Sequence, residues 1–272
     1  WERPSWQRYF GVTPKQLDEL RRAVREALEG TVLTREELVA AVTEQRGLGH
    51  TGEVLRSGWG TLLKPLAWQG DLCFGPSRGN RVTFMRPEAA SSRWAAVPDP
   101  DEAARVAIVA YLGAHGPASV DAFGKWLAGG WFGKRQLRTW FSALRDRLAD
   151  VEVDGEPAHV LAEDLDGLAS ARPTSAVRLL PGFDQYVLGP GTGDARVVPA
   201  ARRRAVSRQS GWISPVVVAG GVVSGTWELD GDQVRVDWFS EGGTPPHNAL
   251  EAEVARLSSI LGRDLRPAIS IA

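Results

Sequence analysis

Arginines stand at the tip of a short predicted hairpin. The stretch "LCFGPSRGNRVTF", residues 72–84, has two apolar-alternating arms around a centre rich in glycine, proline and asparagine, which are typical turn residues. If the hairpin is the wing of a nucleic-acid-binding module, the tip residues Arg78, Asn80 and Arg81 could reach the DNA backbone or the minor groove. A solvated turn is the alternative. A phosphate-cradling loop is disfavoured because no helix follows and no Gly-Lys-Ser/Thr is present.

Two further groups of basic residues could contact a polyanion. No acidic residue occurs between Asp194 and Glu228, and the first of these groups lies in that stretch. A surface that faces a DNA duplex needs such a local concentration of positive charge, whatever the net charge of the chain. For both groups, an exposed charged segment without a ligand is the alternative. The arginines of the stretch are Arg196, Arg202, Arg203, Arg204 and Arg208. The second group, at the start of a predicted helix, consists of Lys134, Arg135 and Arg138.

The elements that would position these residues occur twice in the same order. Apolar residues at helical spacing predict three helices before the hairpin, and three more before a second hairpin around Asp154-Gly155. Thr34 and Ser119 are the predicted N-caps of the middle helices. Three helices followed by a hairpin is the order of a winged helix, whose third helix can enter the major groove. The predicted helices are 13–30, 33–47 and 51–72, then 100–116, 119–129 and 133–151, with the second hairpin at 151–161.

The character of the sequence changes after residue 174. Runs rich in valine, isoleucine and aromatic residues, interrupted by Gly-Gly and Asp-Gly, predict a small antiparallel, barrel-like sheet followed by a helix at 248–261. The predicted fold class is therefore α+β: two tandem winged-helix (helix-turn-helix) domains followed by a β-barrel-like domain. The predicted domains are 1–98, 99–170 and 171–272. The first carries 14 basic and 11 acidic side chains, and the second 7 basic and 12 acidic ones.

Composition excludes several classes of protein. The net charge of −1 and the pI near 6.5 offer no global electrostatic argument for nucleic acid. The single cysteine, Cys73, excludes a disulfide framework, and the four histidines lack metal-ligand spacing, so we expect neither a metal nor a cofactor. No membrane span or signal peptide is visible, which predicts a cytoplasmic protein. The only methionine is Met85, so we expect either that the chain was processed or that an upstream part of the gene product is missing.

Five stretches together carry a resemblance to a known family. In order, they are "TREEL", "CFGPSRGNRVTF", "AYLGAHGPASVDAFGKW", "VRLLPGFDQYVLG" and "VVSGTWEL". In order and spacing they resemble the bacterial winged-helix DNA-binding family that includes the AlkZ and YcaQ DNA glycosylases. The resemblance spans nearly all of the chain. It implies three tandem winged helices, two of them in this chain, and a partner that is duplex DNA, alkylated or crosslinked.

The resemblance also implies a reaction, the hydrolysis of the N-glycosidic bond of alkylated purines. In the family, a Gln-x-Gln or Gln-x-Asp motif in the amino-terminal part positions the attacking water. We expect that motif to be absent from this chain, so no catalytic residue is assigned and excision is expected only with the missing amino-terminal part. The alternatives are a non-catalytic DNA-binding or regulatory protein on the same scaffold, and a scaffold for protein contacts.

Single residues with chemical potential have structural alternatives. Asp184, in "PGFDQY", is either a carboxylate with a raised pKa or, as we favour, a hydrogen-bond anchor for a turn. Among the tryptophans, Trp126, Trp140 and Trp227 occupy apolar-periodic positions and are expected in the core. Trp59 and Trp212 are flanked by glycine and polar residues and are expected to be exposed.

Overall fold

The architecture is that of a computed structural model, which describes residues 2–44, 47–57 and 60–272. It divides into two compact units, Trp1–Asp99 and Pro100–Ala272. The first unit contains α1 (Pro4–Phe10), α2 (Pro14–Ala27), β1 (Leu33–Thr34), α3 (Arg35–Thr43), α4 (Gly52–Arg56), α5 (Leu63–Trp68), β2 (Cys73–Arg78), β3 (Arg81–Met85) and α6 (Pro87–Ala90). The second contains α7 (Pro100–His115), α8 (Val120–Ala128), α9 (Lys134–Ser142), β4 (Leu148–Val153), β5 (Glu156–Leu161), α10 (Leu165–Ser170), β6 (Val177–Leu180), α11 (Gln185–Leu188), α12 (Arg203–Val206), β7 (Val216–Ala219), β8 (Val222–Asp230), β9 (Gln233–Trp238), α13 (His247–Leu261) and β10 (Arg266–Ile271).

Local capping signals place the starts of the first two predicted helices correctly, whereas the helices end earlier than predicted, at Ala27 and Thr43. The hydroxyls of Thr13 and Thr34 each accept a hydrogen bond from the backbone N–H three residues on. The side chains of Gln16 and Glu37 in turn accept a hydrogen bond from the backbone N–H of the cap residue. These capping boxes satisfy backbone donors that the first helical turn leaves free. α1, which the sequence did not predict, precedes them and ends at Gly11, whose φ of 67° suits glycine.

The predicted third helix, 51–72, is wrong as a continuous element. The structure has a 3₁₀ turn (Gly49–Thr51), α4 and α5 instead, and Trp59 lies outside the described residues. Ser57 leaves the helical conformation, with a ψ of 126°, and Gly60 has a φ of 64°, a conformation that a helix cannot contain. Gly60 therefore lies outside both helices and separates α5 from α4.

The first predicted hairpin is present and forms part of a sheet with strand order β1-β3-β2. Phe84 is buried in the core that α2 and α3 share, whereas Phe74 is paired with it on the neighbouring strand and is exposed. Between Gly75 and Arg78 the register shifts, as in a β-bulge. A Cβ at Gly75 would lie 2.8 Å from the Thr83 hydroxyl, so glycine allows the strands to approach here.

The first three helices of the second unit follow the predicted order, with one shortened, whereas α10, α11 and α12 were not predicted. Ser119 caps α8 as expected, accepting a hydrogen bond from the Ala122 N–H at 3.1 Å. The helix predicted over 133–151 ends at Ser142, because Leu148 is extended and pairs with Leu161 in the hairpin β4–β5. Asp154 and Gly155 both have positive φ, which is the backbone of a type I′ hairpin turn.

The carboxyl-terminal sheet corrects the predicted antiparallel barrel. Its strand order is β10-β9-β8-β7-β6, and within the described residues β10 and β6 remain unpaired edges, so the sheet is open. β10 runs parallel to β9, because α13 connects the two strands as a crossover. Leu250 and Val254 of α13 pack against Val217, Val234 and Val236 of the sheet. The fold is thus a mixed α+β structure without a closed barrel.

In the part of the chain that the structure describes, none of the helices is both long and apolar enough to cross a membrane.

Candidate nucleic-acid interface

The tip of the first hairpin separates one fixed arginine from two free polar residues. Arg78 donates to the Glu37 carboxylate, with Nη1–Oε2 at 3.0 Å, and to the Val32 carbonyl. The side chains of Asn80 and Arg81 are exposed and make no hydrogen bond or ion pair with the described residues. Asn80 and Arg81 therefore present unused side-chain donors at this tip, whereas Arg78 is held within the fold.

Glu37 holds Arg78 because its carboxylate stays ionised. The Thr34 backbone N–H, at 2.7 Å from Oε2, is the first cause that keeps the pKa of Glu37 below its ordinary value, followed by the Thr34 hydroxyl. The positive charges of Arg78 and Arg81 lower this pKa further. The same carboxylate that caps α3 thus ties the hairpin to that helix.

The basic residues of α9 are exposed at its first turns. Lys134 lies 3.4 Å from Asp121 in a solvent-exposed ion pair. Arg135 and Arg138, three residues apart and hence on one helix face, have no side-chain partner among the residues described. Trp140, further along the same helix, is buried and donates to Asp101 at 2.7 Å. One face of α9 therefore packs into the unit and another presents two guanidinium groups.

The arginine-rich segment also divides into fixed and free members. Arg196 is paired with Asp194, and Arg202 donates to Glu241, to the Ser240 hydroxyl and to the Ala272 carbonyl while lying 4.8 Å from the centre of the Phe239 ring. The remaining members are exposed and have no ion pair within the described ranges. These three residues are Arg203, Arg204 and Arg208.

Asp184 is the anchor of a turn. Its carboxylate accepts a hydrogen bond from the Tyr186 N–H at 2.8 Å and caps the short helix α11. The "VLG" that follows ends in Gly189, where a Cβ would collide with the ring of His115. Burial lowers the pKa of that histidine, which favours its neutral form. Turn capping by Asp184 and the close packing of Gly189 thus explain two positions of "PGFDQYVLG".

Two Gln-x-Asp triplets occur in the chain, contrary to the expectation that the motif is absent: Gln16-Leu17-Asp18 and Gln69-Gly70-Asp71. The side-chain amide oxygen of Gln16 accepts a hydrogen bond from the Thr13 N–H at 2.9 Å, so this glutamine is part of the capping box. Asp71 is fully buried between the guanidinium groups of Arg21 and Arg25, with Arg21 Nε at 2.7 Å. Neither triplet offers both a free amide and a free carboxylate to a water molecule.

The predicted environments of the tryptophans hold only in part. Trp140 is buried as expected, and Trp227 is half-buried with its N–H on the Leu180 carbonyl. Trp126 is 39% exposed, so its predicted core position is wrong, although it contacts the rings of Tyr111 and Phe123. Two further exposed aromatic residues were not predicted from the sequence. They follow Gly129-Gly130, and this glycine pair could have indicated an exposed turn at that point. They are Trp131 and Phe132.

A comparison with protein families decides what kind of chain this is. The family model of the AlkZ-like DNA glycosylases matches residues 1–260. The chain belongs to the AlkZ-like DNA glycosylase family. Among curated relatives of this family member is an "Interstrand DNA cross-link repair glycosylase" of Streptomyces sahachiroi, 47% identical over 263 residues, which covers 96% of this chain and 71% of the relative.

A solved structure agrees with this assignment. The Streptomyces sahachiroi DNA glycosylase AlkZ superposes with a TM-score of 0.93 at 46% identity, covering 100% of this AlkZ-like chain and 73% of the other. Across the described residues, no group of three His, Cys, Asp or Glu side chains is arranged to hold a metal ion. The family assignment makes DNA the substrate class, and the free arginines are the residues to examine for its binding.

Proposed function

We propose that this chain binds duplex DNA containing alkylated or crosslinked purines and takes part in their excision. The observation that carries the proposal is the division of the arginines. Arg78 and Arg202 are held by contacts inside the protein and Lys134 is paired with Asp121, whereas the remaining predicted contacts have unused donors on exposed segments. Exposed guanidinium groups with unused donors can bind phosphates. The unused contacts are Arg81, Arg135, Arg138, Arg203, Arg204 and Arg208, with Asn80 beside them at the hairpin tip.

We infer that the helix-and-hairpin groups are two winged helices. In the first, α2, α3 and the broken pair α4–α5 precede the hairpin β2–β3, and in the second, α7, α8 and α9 precede β4–β5. Arg81 then lies on a wing, while Arg135 and Arg138 lie on a recognition helix. The domains proposed on this basis are 1–98, 99–170 and 171–272.

The substrate proposal rests on chemistry and on the relative. The Streptomyces sahachiroi relative is named as an interstrand DNA cross-link repair glycosylase. An N7-alkylated purine is cationic and leaves readily, so its excision requires an oriented water and a stabilised sugar cation more than a strong general acid. We assign neither role to a described residue, because both Gln-x-Asp triplets and Asp184 serve local structure.

A second candidate is a DNA-binding protein without excision activity. This candidate is favoured by the contacts of the two Gln-x-Asp triplets, because Gln16 and Asp71 are engaged within the protein. Both candidates predict binding of duplex DNA, and they differ only in whether a base is released.

The test has two parts. Anisotropy titrations of a labelled duplex at several salt concentrations should show binding that weakens steeply with salt, because neutralised phosphates release counterions. Absence of binding at low salt, with the fold intact by circular dichroism, would contradict the proposal. Release of N7-methylguanine from alkylated duplex, measured by chromatography for the product of the whole coding sequence, then separates the two candidates.

If release is seen, variants identify its source. Gln16→Ala and Asp184→Asn should leave the rate unchanged, since both side chains serve local turns and caps. A loss of release in either variant, without loss of fold, would move the chemistry to that residue.

A further inference from the structure

Two exposed aromatic rings from distant parts of the sequence meet beside the arginine-rich segment. Phe183 lies in the loop between β6 and α11, and Trp212 lies in the loop before β7. Their ring centres are 5.1 Å apart and their planes meet at 84°. The residues remain 44% and 56% exposed, so the contact buries neither ring in the core.

The backbone holds both rings in place at unusual conformations. Phe183 has a φ of 62°, and Ser210, two residues before Trp212, has a φ of 59°. Such conformations are uncommon for residues other than glycine and occur preferentially at functional sites. A bulky aromatic residue in this region needs a reason, and its ring has not gained a buried position in return.

The two loops lie close to each other, and each has hydrogen bonds of its own that fix its conformation. A Cβ at Gly182 would lie 2.8 Å from the Ile213 carbonyl oxygen, so the backbones pass in close contact. The Arg208 N–H donates to the Trp212 carbonyl at 2.8 Å, and Ser207 forms a β-bridge with Ile213. Asp184 caps α11 immediately after Phe183. The pair is therefore preorganised, which reduces the entropy lost when a ligand binds.

The electrostatic setting of Trp212 is positive, and the Asp184 carboxylate beside Phe183 accepts a hydrogen bond from the Tyr186 N–H. Trp212 is in the stretch between Asp194 and Glu228 that contains no acidic residue, and the free Arg208 is hydrogen-bonded to it through the backbone. Arg203 and Arg204, also without ion pairs among the described residues, begin the helix α12 that leads into this loop. An exposed aromatic pair next to unpaired guanidinium groups complements a ligand that has both flat rings and phosphates.

We propose that Phe183 and Trp212 form a stacking corner for a nucleobase that has left the DNA helix. The proposal rests on the proposed DNA binding and deepens it. Because the ring planes are nearly perpendicular, a base that stacks on one ring meets the other ring at its edge. A protein that acts on a base must expose it from the stack, and a stacking surface lowers the cost of holding a base outside it.

The experiment compares two labelled duplexes of the same sequence, one fully paired and one with a single extrahelical adenine. The wild-type chain should bind the second more tightly. Trp212→Ala should reduce that preference by between about 5- and 150-fold, the range expected for one base–aromatic stack. Phe183→Gly should act in the same direction, and glycine suits the φ of 62°.

Matched variants separate stacking from general apolar contact. Trp212→Phe keeps an aromatic face and should retain most of the preference, whereas Trp212→Leu should lose it. Ile260→Ala removes another exposed apolar side chain of the same unit and should change the binding of neither duplex. All variants should bind the paired duplex with the wild-type salt dependence, because the arginines are unchanged.

The outcomes are distinguishable. If paired duplex is bound normally and Trp212→Ala leaves the preference unchanged, the stacking corner is refuted while the proposed function stands. If neither duplex is bound at low salt, the proposed function fails first. If analytical ultracentrifugation shows self-association that Trp212→Ala abolishes, while DNA affinities are unaltered, the pair is a contact between copies and the proposal is overturned.

Discussion

The hairpin tip and the arginine-rich segment each contain both an arginine that is held by the protein and at least one that is free, but the held arginines differ in burial. In each, one guanidinium is held by a carboxylate, Arg78 by Glu37 and Arg202 by Glu241. Arg78 is 51% exposed, whereas the Arg202 side chain is 23% exposed, lies against Phe239 and reaches a backbone carbonyl at 2.8 Å. Arginines that look equivalent in sequence are thus divided by tertiary contacts into anchors and free donors.

The largest expected effect comes from the free arginines of the second region. Replacing Arg203, Arg204 and Arg208 together with alanine should weaken duplex binding and reduce the salt slope by about 3, because each arginine would neutralise one phosphate. Arg263→Ala, which removes an exposed arginine paired with Asp232, is the control and should leave both unchanged. Equal effects of the triple variant and the control, measured by anisotropy, would remove this segment from the interface.

The anchor of the same region should affect stability instead. Arg202→Ala removes hydrogen bonds to the Ala272 carbonyl and the Ser240 hydroxyl and the packing against the Phe239 ring. We expect a decrease of about 1–2 kcal/mol in the free energy of unfolding, from urea titrations. DNA affinity of the folded variant should remain near wild type. A large loss of affinity without a loss of stability would class Arg202 with the free donors.

The hairpin tip should show a smaller version of the same contrast. Arg81→Ala should lower DNA affinity and reduce the salt slope by about 1, with stability changed by less than about 0.5 kcal/mol. Arg78→Ala should lower stability by no more than about 1 kcal/mol, because it removes the hydrogen bond to the Val32 carbonyl, and should have little effect on DNA binding. Parallel anisotropy and urea measurements of both variants check this, and reversed roles would contradict it.

The smallest expected effect is on the pH dependence of the Arg202 anchor. The hydrogen bond from Arg202 is the first cause that lowers the pKa of Glu241 in the folded state. The corresponding stability is present above the unfolded pKa, near 4.5, and is lost as the pH falls through the folded value. The destabilisation by Arg202→Ala should therefore be smaller at pH 3 than at pH 7. An unchanged difference between the two pH values would mean that the ion pair adds nothing.

Features set by neighbouring residues were predictable from the sequence. The caps at Thr34 and Ser119 and the turn at Asp154-Gly155 are correct, because each depends on bonds and dihedral angles within a few residues. The apolar arms around the turn residues also identified the two strands of the hairpin, although Phe74 is exposed while its cross-strand partner Phe84 is buried. The family resemblance rested on such local stretches and is confirmed by the match over residues 1–260.

Features set by residues distant in the sequence were not predictable from the sequence. The parallel pairing of β10 with β9 depends on where α13 packs, and the open sheet depends on which edges fail to meet, so periodicity within a strand reports neither. The break between α4 and α5 depends on the φ of Gly60, which glycine permits and does not require.

The properties of the candidate interface also divide into those set by the sequence and those set by tertiary contacts. The sequence by itself determined that arginines concentrate at 78–81 and 202–208 and that acids are absent between Asp194 and Glu228. Only the tertiary structure decided which guanidinium groups are free, because Glu37 and Glu241 are 41 and 39 positions away from the arginines they hold. It also brought Phe183 to Trp212, since ring contacts follow from loop packing, and loop packing is set by the whole sheet beneath it.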